Sequence, residues 1–166
     1  MNAFYQATIS FTSQNVGAKR VSRIDRVLKR GMLCVVTVGI IMGMISVVFG
    51  EVLLGIYSTS DAVIAAGMER LNIIGMTYFL CGAMEVATGA LRGMGYSFVP
   101  MIISLIGVCG IRIFWIMTIF QQPRFHTVGM LFLTYPVTWI VTLAALMVMF
   151  FVMRKKPREK AVARAL

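Results

Sequence analysis

Four stretches of the chain are apolar over a length that crosses a bilayer, and polar or charged residues gather between them. The runs fall at 31–56, 71–91, 99–120 and 128–153. About 20 residues of helix span roughly 30 Å of hydrocarbon, so each run predicts one transmembrane helix. Residues 1–13 precede them as a shorter, more polar helical stretch, a partial span. Its polar residues are Asn2, Gln6, Thr8, Ser10 and Thr12. Polar residues at these positions predict a helix face turned to a cavity or another helix rather than to lipid. The expected fold class is therefore all-α, a polytopic membrane helix bundle. It comprises a transmembrane lobe over 1–153 and a basic tail over 154–166.

Small residues extend the pattern inside the spans. Gly39, Gly43, Ser46 and Gly50 form one stripe, and Gly75, Gly82 and Gly89 another with a period of seven. In membranes such stripes let helix backbones approach closely, because apolarity itself supplies little force between helices. Pro100 suits the start of a helix, where its missing N–H costs nothing. Pro136 lies inside the last run, where it is expected to kink the helix and free the carbonyl of Phe132.

Composition confirms the class and charge orients it. Hydrophobic residues make up 59% of the 166 residues and charged ones 13%, against about 25% charged in soluble domains. The net charge of +10 is concentrated in two places. One cluster runs from Lys19 to Arg30 and the other from Arg154 to Arg164, both hard against apolar spans. That placement marks cytoplasmic anchors and argues against nucleic-acid binding. The positive-inside rule puts both clusters and the Arg92 connection on the cytoplasmic side, with four crossings between the clusters. Cys34, Cys81 and Cys109 lie within apolar runs without a CxxC pattern, which argues against a disulfide framework or a metal site. His126, the single histidine, falls in a connection as a loop residue. No GxSxG, HExxH or Walker pattern occurs, so nothing supports an enzyme.

The chemistry lies in charges inside the spans. Glu85 sits in the second run, and a charge at bilayer depth costs at least about 2.5–3.5 kcal/mol. A residue so placed is expected either to make a buried structural hydrogen bond or to bind a proton or cation. Arg92, seven residues on, shares its helix face but is about 10 Å away, beyond direct pairing. Its expected role is an interfacial anchor. Arg112, in the third run, and Glu51, in the first, are structural or interfacial charges, with a contact between them as one way to satisfy both.

The segment Thr12-Ser13-Gln14-Asn15-Val16-Gly17-Ala18 and its following basic run resemble the cytoplasmic end of the second helix in each half of the multidrug and toxic compound extrusion (MATE) transporters. Gly89-Ala90-Leu91-Arg92-Gly93-Met94-Gly95, then Pro100-Met101-Ile102-Ile103 and Arg112, resemble that family's fourth and fifth helices of the second half. The resemblance implies twelve helices in two lobes around a cleft, in a cell (inner or plasma) membrane. It implies export of small cationic or amphipathic compounds in exchange for Na+ or H+, with no other cofactor. By this comparison the chain runs from the end of helix eight through helix twelve. The amino-terminal lobe would be its missing partner, and the fragment alone would not transport.

Glu85 is then the candidate for ion or proton coupling, one turn beyond the carboxylate of some relatives. Asn2, Gln6, Ser10, Gln14 and Asn15 are candidates for the cavity wall. Tyr96 stands where many relatives have an acid. The alternative is a small membrane scaffold or partner subunit in which Glu85 and Arg112 make structural contacts.

Overall fold

A computed structural model of the chain describes residues 1–122 and 127–154. Arg124 and His126, and the tail beyond Arg154, lie outside the described residues. The described residues form seven α-helices: α1 (Asn2–Gly17), α2 (Ile24–Val48), α3 (Gly50–Gly55), α4 (Asp61–Gly93), α5 (Phe98–Ser104), α6 (Ile111–Thr118) and α7 (Val128–Met153). A π-helical segment, Leu105–Gly110, joins α5 to α6 into one continuous span. Among the described residues, four helical units are long and apolar enough to cross a membrane: Val21–Val48, Asp61–Gly93, Phe98–Thr118 and Val128–Met153. The fold is thus a polytopic helical bundle. Its outer surface carries exposed Leu33, Val48, Met117 and Val148, as a lipid-facing surface should.

Two helices are placed differently from the apolar runs. The first span begins at Ile24, not near residue 31, because Arg26, Lys29 and Arg30 sit in the opening turns of α2. Long basic side chains leave a helix intact while carrying their charge toward water, so apolarity alone marks the start too late. The same span ends at Val48, and α3 follows as a separate short helix. The break falls at Phe49-Gly50, where Gly50 presses on Met68 and Leu71 of α4. Helix α4 begins ten residues before its apolar run, at Asp61. Its 33 residues reach about 50 Å, more than the hydrocarbon thickness, which leaves Asp61, Glu69 and Arg70 room at a polar end.

Helix α4 is the centre of the bundle, packed by α1, α2 and α7. Its last turns are the driest part of the molecule: Val86, Ala87, Ala90 and Leu91 are fully buried. Both glycine stripes lie at these contacts. Helices α2 and α4 run antiparallel, with Gly39 against Phe79, Gly43 against Gly75, and Gly82 against Val35. Gly89 and Gly93 admit α1, whose Tyr5 carbonyl, Thr8 and Thr12 fill the space a side chain would take. Helix α1 therefore runs parallel to α4.

Two reversals close the basic end. Helix α1 stops in a Schellman turn, with Arg20 N–H donating to Asn15 O and Lys19 N–H to Val16 O, and Lys19 held at φ 56°. Helix α4 stops the same way, Tyr96 N–H on Leu91 O and Gly95 N–H on Arg92 O, with Gly95 at φ 92°. In Arg92-Gly93-Met94-Gly95, one glycine thus admits a neighbouring helix and the other turns the chain.

Helix α7 runs through Pro136 as one element. Its buried Thr134, Thr138 and Thr142 satisfy their hydroxyls by donating to carbonyls one turn back, those of Leu131, Tyr135 and Thr138. The π-helical segment packs Gly107 directly on Thr142. Asp25 of α2 and Arg154 after α7 form an ion pair of 2.7 Å, which puts the first basic cluster and the start of the tail at one end of the bundle.

Candidate functional site

The helical repeat brings Tyr78, Cys81, Glu85, Thr88 and Arg92 to one strip of α4. Neighbouring helices bury the opposite faces of α4, while Glu85 and Thr88 are half-buried and Arg92 is exposed. Met1, Asn2 and Tyr5 of α1 stand on one side of this strip and Ser104, ending α5, on the other. Together they enclose an open cleft of about 580 Å³. Glu85 lies about 12 Å along the axis from the end of α4 at Gly93, inside a helix long and apolar enough to cross a membrane.

No side chain among the described residues hydrogen-bonds to Glu85 or forms an ion pair with it. Arg92 lines the same cleft yet turns to α1. Its guanidinium donates to the Tyr5 hydroxyl and lies 5.7 Å from the Tyr5 ring centroid. Arg92 thus makes an interhelix contact, tying α1 to α4 across the cleft mouth. Tyr5→Phe keeps the ring and loses the hydrogen bond. The expected loss is about 1 kcal/mol in thermal unfolding of the detergent-solubilised protein, and an unchanged melting temperature would show the bond adds nothing.

The remaining candidates are dispersed. Of the polar residues on α1, Asn2 reaches the cleft beside Glu85. Gln6, Ser10 and Gln14 continue along the exposed face opposite Thr8 and Thr12. Gln14 donates to Ser10 Oγ at 3.4 Å, and Asn15 donates to the Phe11 carbonyl at 2.7 Å. Arg112 sits elsewhere, its guanidinium 4.0 Å above the Tyr135 ring, at the edge of an aromatic cluster of Tyr135, Trp139 and Tyr78. A cation over a ring face at a desolvated site is worth up to about 2 kcal/mol, while the buried Arg112 Nε has no hydrogen-bond partner among the described residues. The partner of Arg112 is therefore Tyr135, not Glu51, which lies exposed in the first turn of α3.

Tyr5, Cys81, Thr88 and Ser104 were not among the sequence candidates. Cys81 and Thr88 stand at i−4 and i+3 from Glu85, so helical spacing alone could have added them. Tyr5 and Ser104 belong to other helices and needed the fold. Among the described residues no group of three or more His, Cys, Asp or Glu side chains is placed to hold a metal ion.

No curated protein and no solved structure matches the chain significantly. The MatE family model matches residues 1–118, most of the chain, and covers α1 through α6 with the whole cleft. By that match, and with four helices among the described residues long and apolar enough to cross a membrane, the chain belongs to the MatE family of membrane transporters.

Proposed function

We propose that this chain supplies the second-lobe helices of a cation-coupled antiporter exporting small cationic or amphipathic compounds. The observation that carries the reading is Glu85, a half-buried carboxylate at membrane depth that lines an open cleft without a protein partner. Such a group is retained where it meets water, a proton or a cation. Tyr5 and Tyr78 add ring faces to the cleft, which suit a delocalised organic cation. Na+ or H+ on Glu85 and a cationic compound in the cleft then exclude one another, which is what exchange requires.

The exposed Asn2–Gln6–Ser10–Gln14 stripe is the surface over which an opposing lobe closes. Rocking of the two lobes alternates access to the cleft. The basic clusters face the cytoplasm, in a cell membrane, and the tail lies on that side.

Proteoliposomes of the assembled transporter test this with tetraphenylphosphonium as the transported cation. An imposed Na+ or proton gradient should drive its movement against its own gradient. Movement indifferent to both gradients would refute coupling, and no movement under any gradient would refute the substrate class.

A further inference from the structure

A second cavity, larger than the cleft, opens at the basic end of the bundle. Helices α2 and α7 both pack on α4, and the seam between their ends encloses about 700 Å³. Leu28, Met32 and Val36 line one side on a single stripe of α2, with Leu33 flanking them. Met147, Phe150 and Phe151 line the other. Leu33 is 69% exposed and Phe151 45%, so the groove opens sideways to the bilayer rather than into the bundle. From Leu28 to Val36 it runs about 12 Å along α2, parallel to lipid chains.

Its mouth is charged. Lys29 is exposed one turn from Asp25, and Asp25 already holds Arg154 at 2.7 Å. Arg154 also lies 4.7 Å from the Phe151 ring centroid, which fixes its guanidinium over the groove. Asp25, Lys29 and Arg154 together leave one positive charge at the mouth, and Arg26 and Arg30 stand on the same turns of α2. An apolar trough with a cationic rim at headgroup level has the chemistry of one ligand.

We infer that this groove is a site for an anionic phospholipid, with its phosphate between Lys29 and Arg154 and an acyl chain against Leu28, Met32 and Val36. Asp25 holds Arg154 in position to meet the phosphate, so the bound lipid ties the first turns of α2 to the last turns of α7. Each basic residue near an anionic headgroup contributes about fivefold in affinity.

The test is native mass spectrometry of the detergent-purified protein titrated with dioleoylphosphatidylglycerol, dioleoylphosphatidylethanolamine or dioleoylphosphatidylcholine. Phosphatidylglycerol should bind on the order of tenfold more tightly than the two zwitterionic lipids. Lys29→Gln should weaken it about fivefold. The paired change Asp25→Asn with Arg154→Gln, which removes both members of the ion pair, should weaken it as well. Lys19→Gln, a basic residue outside the groove, should leave it unchanged, and circular dichroism confirms that each variant is folded.

Equal retention of all three lipids would overturn the inference. So would equal losses in Lys29→Gln and Lys19→Gln, which would indicate diffuse surface charge. Displacement of phosphatidylglycerol by equimolar inorganic phosphate would likewise overturn it, since the acyl chain would then contribute nothing.

Discussion

Glu85→Gln in the assembled transporter should reduce gradient-driven transport at least tenfold while leaving the protein as stable as its parent. The glutamate carboxylate and the glutamine carboxamide have nearly the same shape, so packing in the cleft is preserved. Glu85 has no hydrogen-bond or ion-pair partner among the described residues, so its replacement orphans no buried group. It also removes an intramembrane carboxylate, whose retention at that depth is itself unfavourable. Stability is therefore expected to stay within about 0.5 kcal/mol or to rise. Transport, by contrast, should lose the group proposed to exchange a cation. The alternative scaffold role separates cleanly. It predicts a loss of about 1–3 kcal/mol in stability and no change in ion dependence. Thermal unfolding and proteoliposome transport on the same preparation distinguish the two, and full gradient-driven transport by Glu85→Gln would end the coupling role.

The largest stability effect is expected at Gly43. There α2 lies so close to α4 that any Cβ would run into the carbonyl oxygen of Gly75. A flexible side chain could swing aside, whereas a backbone carbonyl inside a helix cannot. Gly43→Ala must therefore push the two helices apart at the centre of their contact. Overpacking of this kind costs about 1–3 kcal/mol, and Gly43→Leu should exceed that range. Gly55 supplies the comparison, since a Cβ there meets nothing within 4 Å. Gly55→Ala should stay within about 0.5 kcal/mol of the parent in chemical unfolding in mild detergent. If Gly43→Ala proved equally neutral, the close approach of α2 and α4 would be wrong.

The sequence showed the architecture where one physical rule dominated. Membrane-length apolarity marked all four spans, and the spacing of Gly75, Gly82 and Gly89 marked close packing on α4 before any partner was known. It misplaced α2 because two rules competed: charge ended the apolar run near residue 31, but helix geometry carried the basic turns back to Ile24. The break at Phe49-Gly50 was hidden because glycine in a membrane helix signals packing or interruption alike. Nothing local announced the π-helical turns at Leu105–Gly110, within which Gly107 meets Thr142 of another helix. The candidate site was half legible. Glu85 was conspicuous by the cost of its charge, and its face by the helical repeat. The Arg92–Tyr5 contact joins residues 87 positions apart, and the ring beneath Arg112 comes from α7. Neither pairing follows from spacing along one helix.

Native Cys81 gives the most direct access to the central claim, a wet cleft at Glu85 that takes a cationic compound. It lines the cleft one turn from Glu85. With Cys34 and Cys109 replaced by alanine, its reaction with a membrane-impermeant methanethiosulfonate reagent can be followed in the assembled transporter. Modification should proceed from the aqueous phase and slow several-fold when tetraphenylphosphonium saturates the cleft. A thiol that resists the reagent, or reacts at the same rate with and without the cation, would contradict the account.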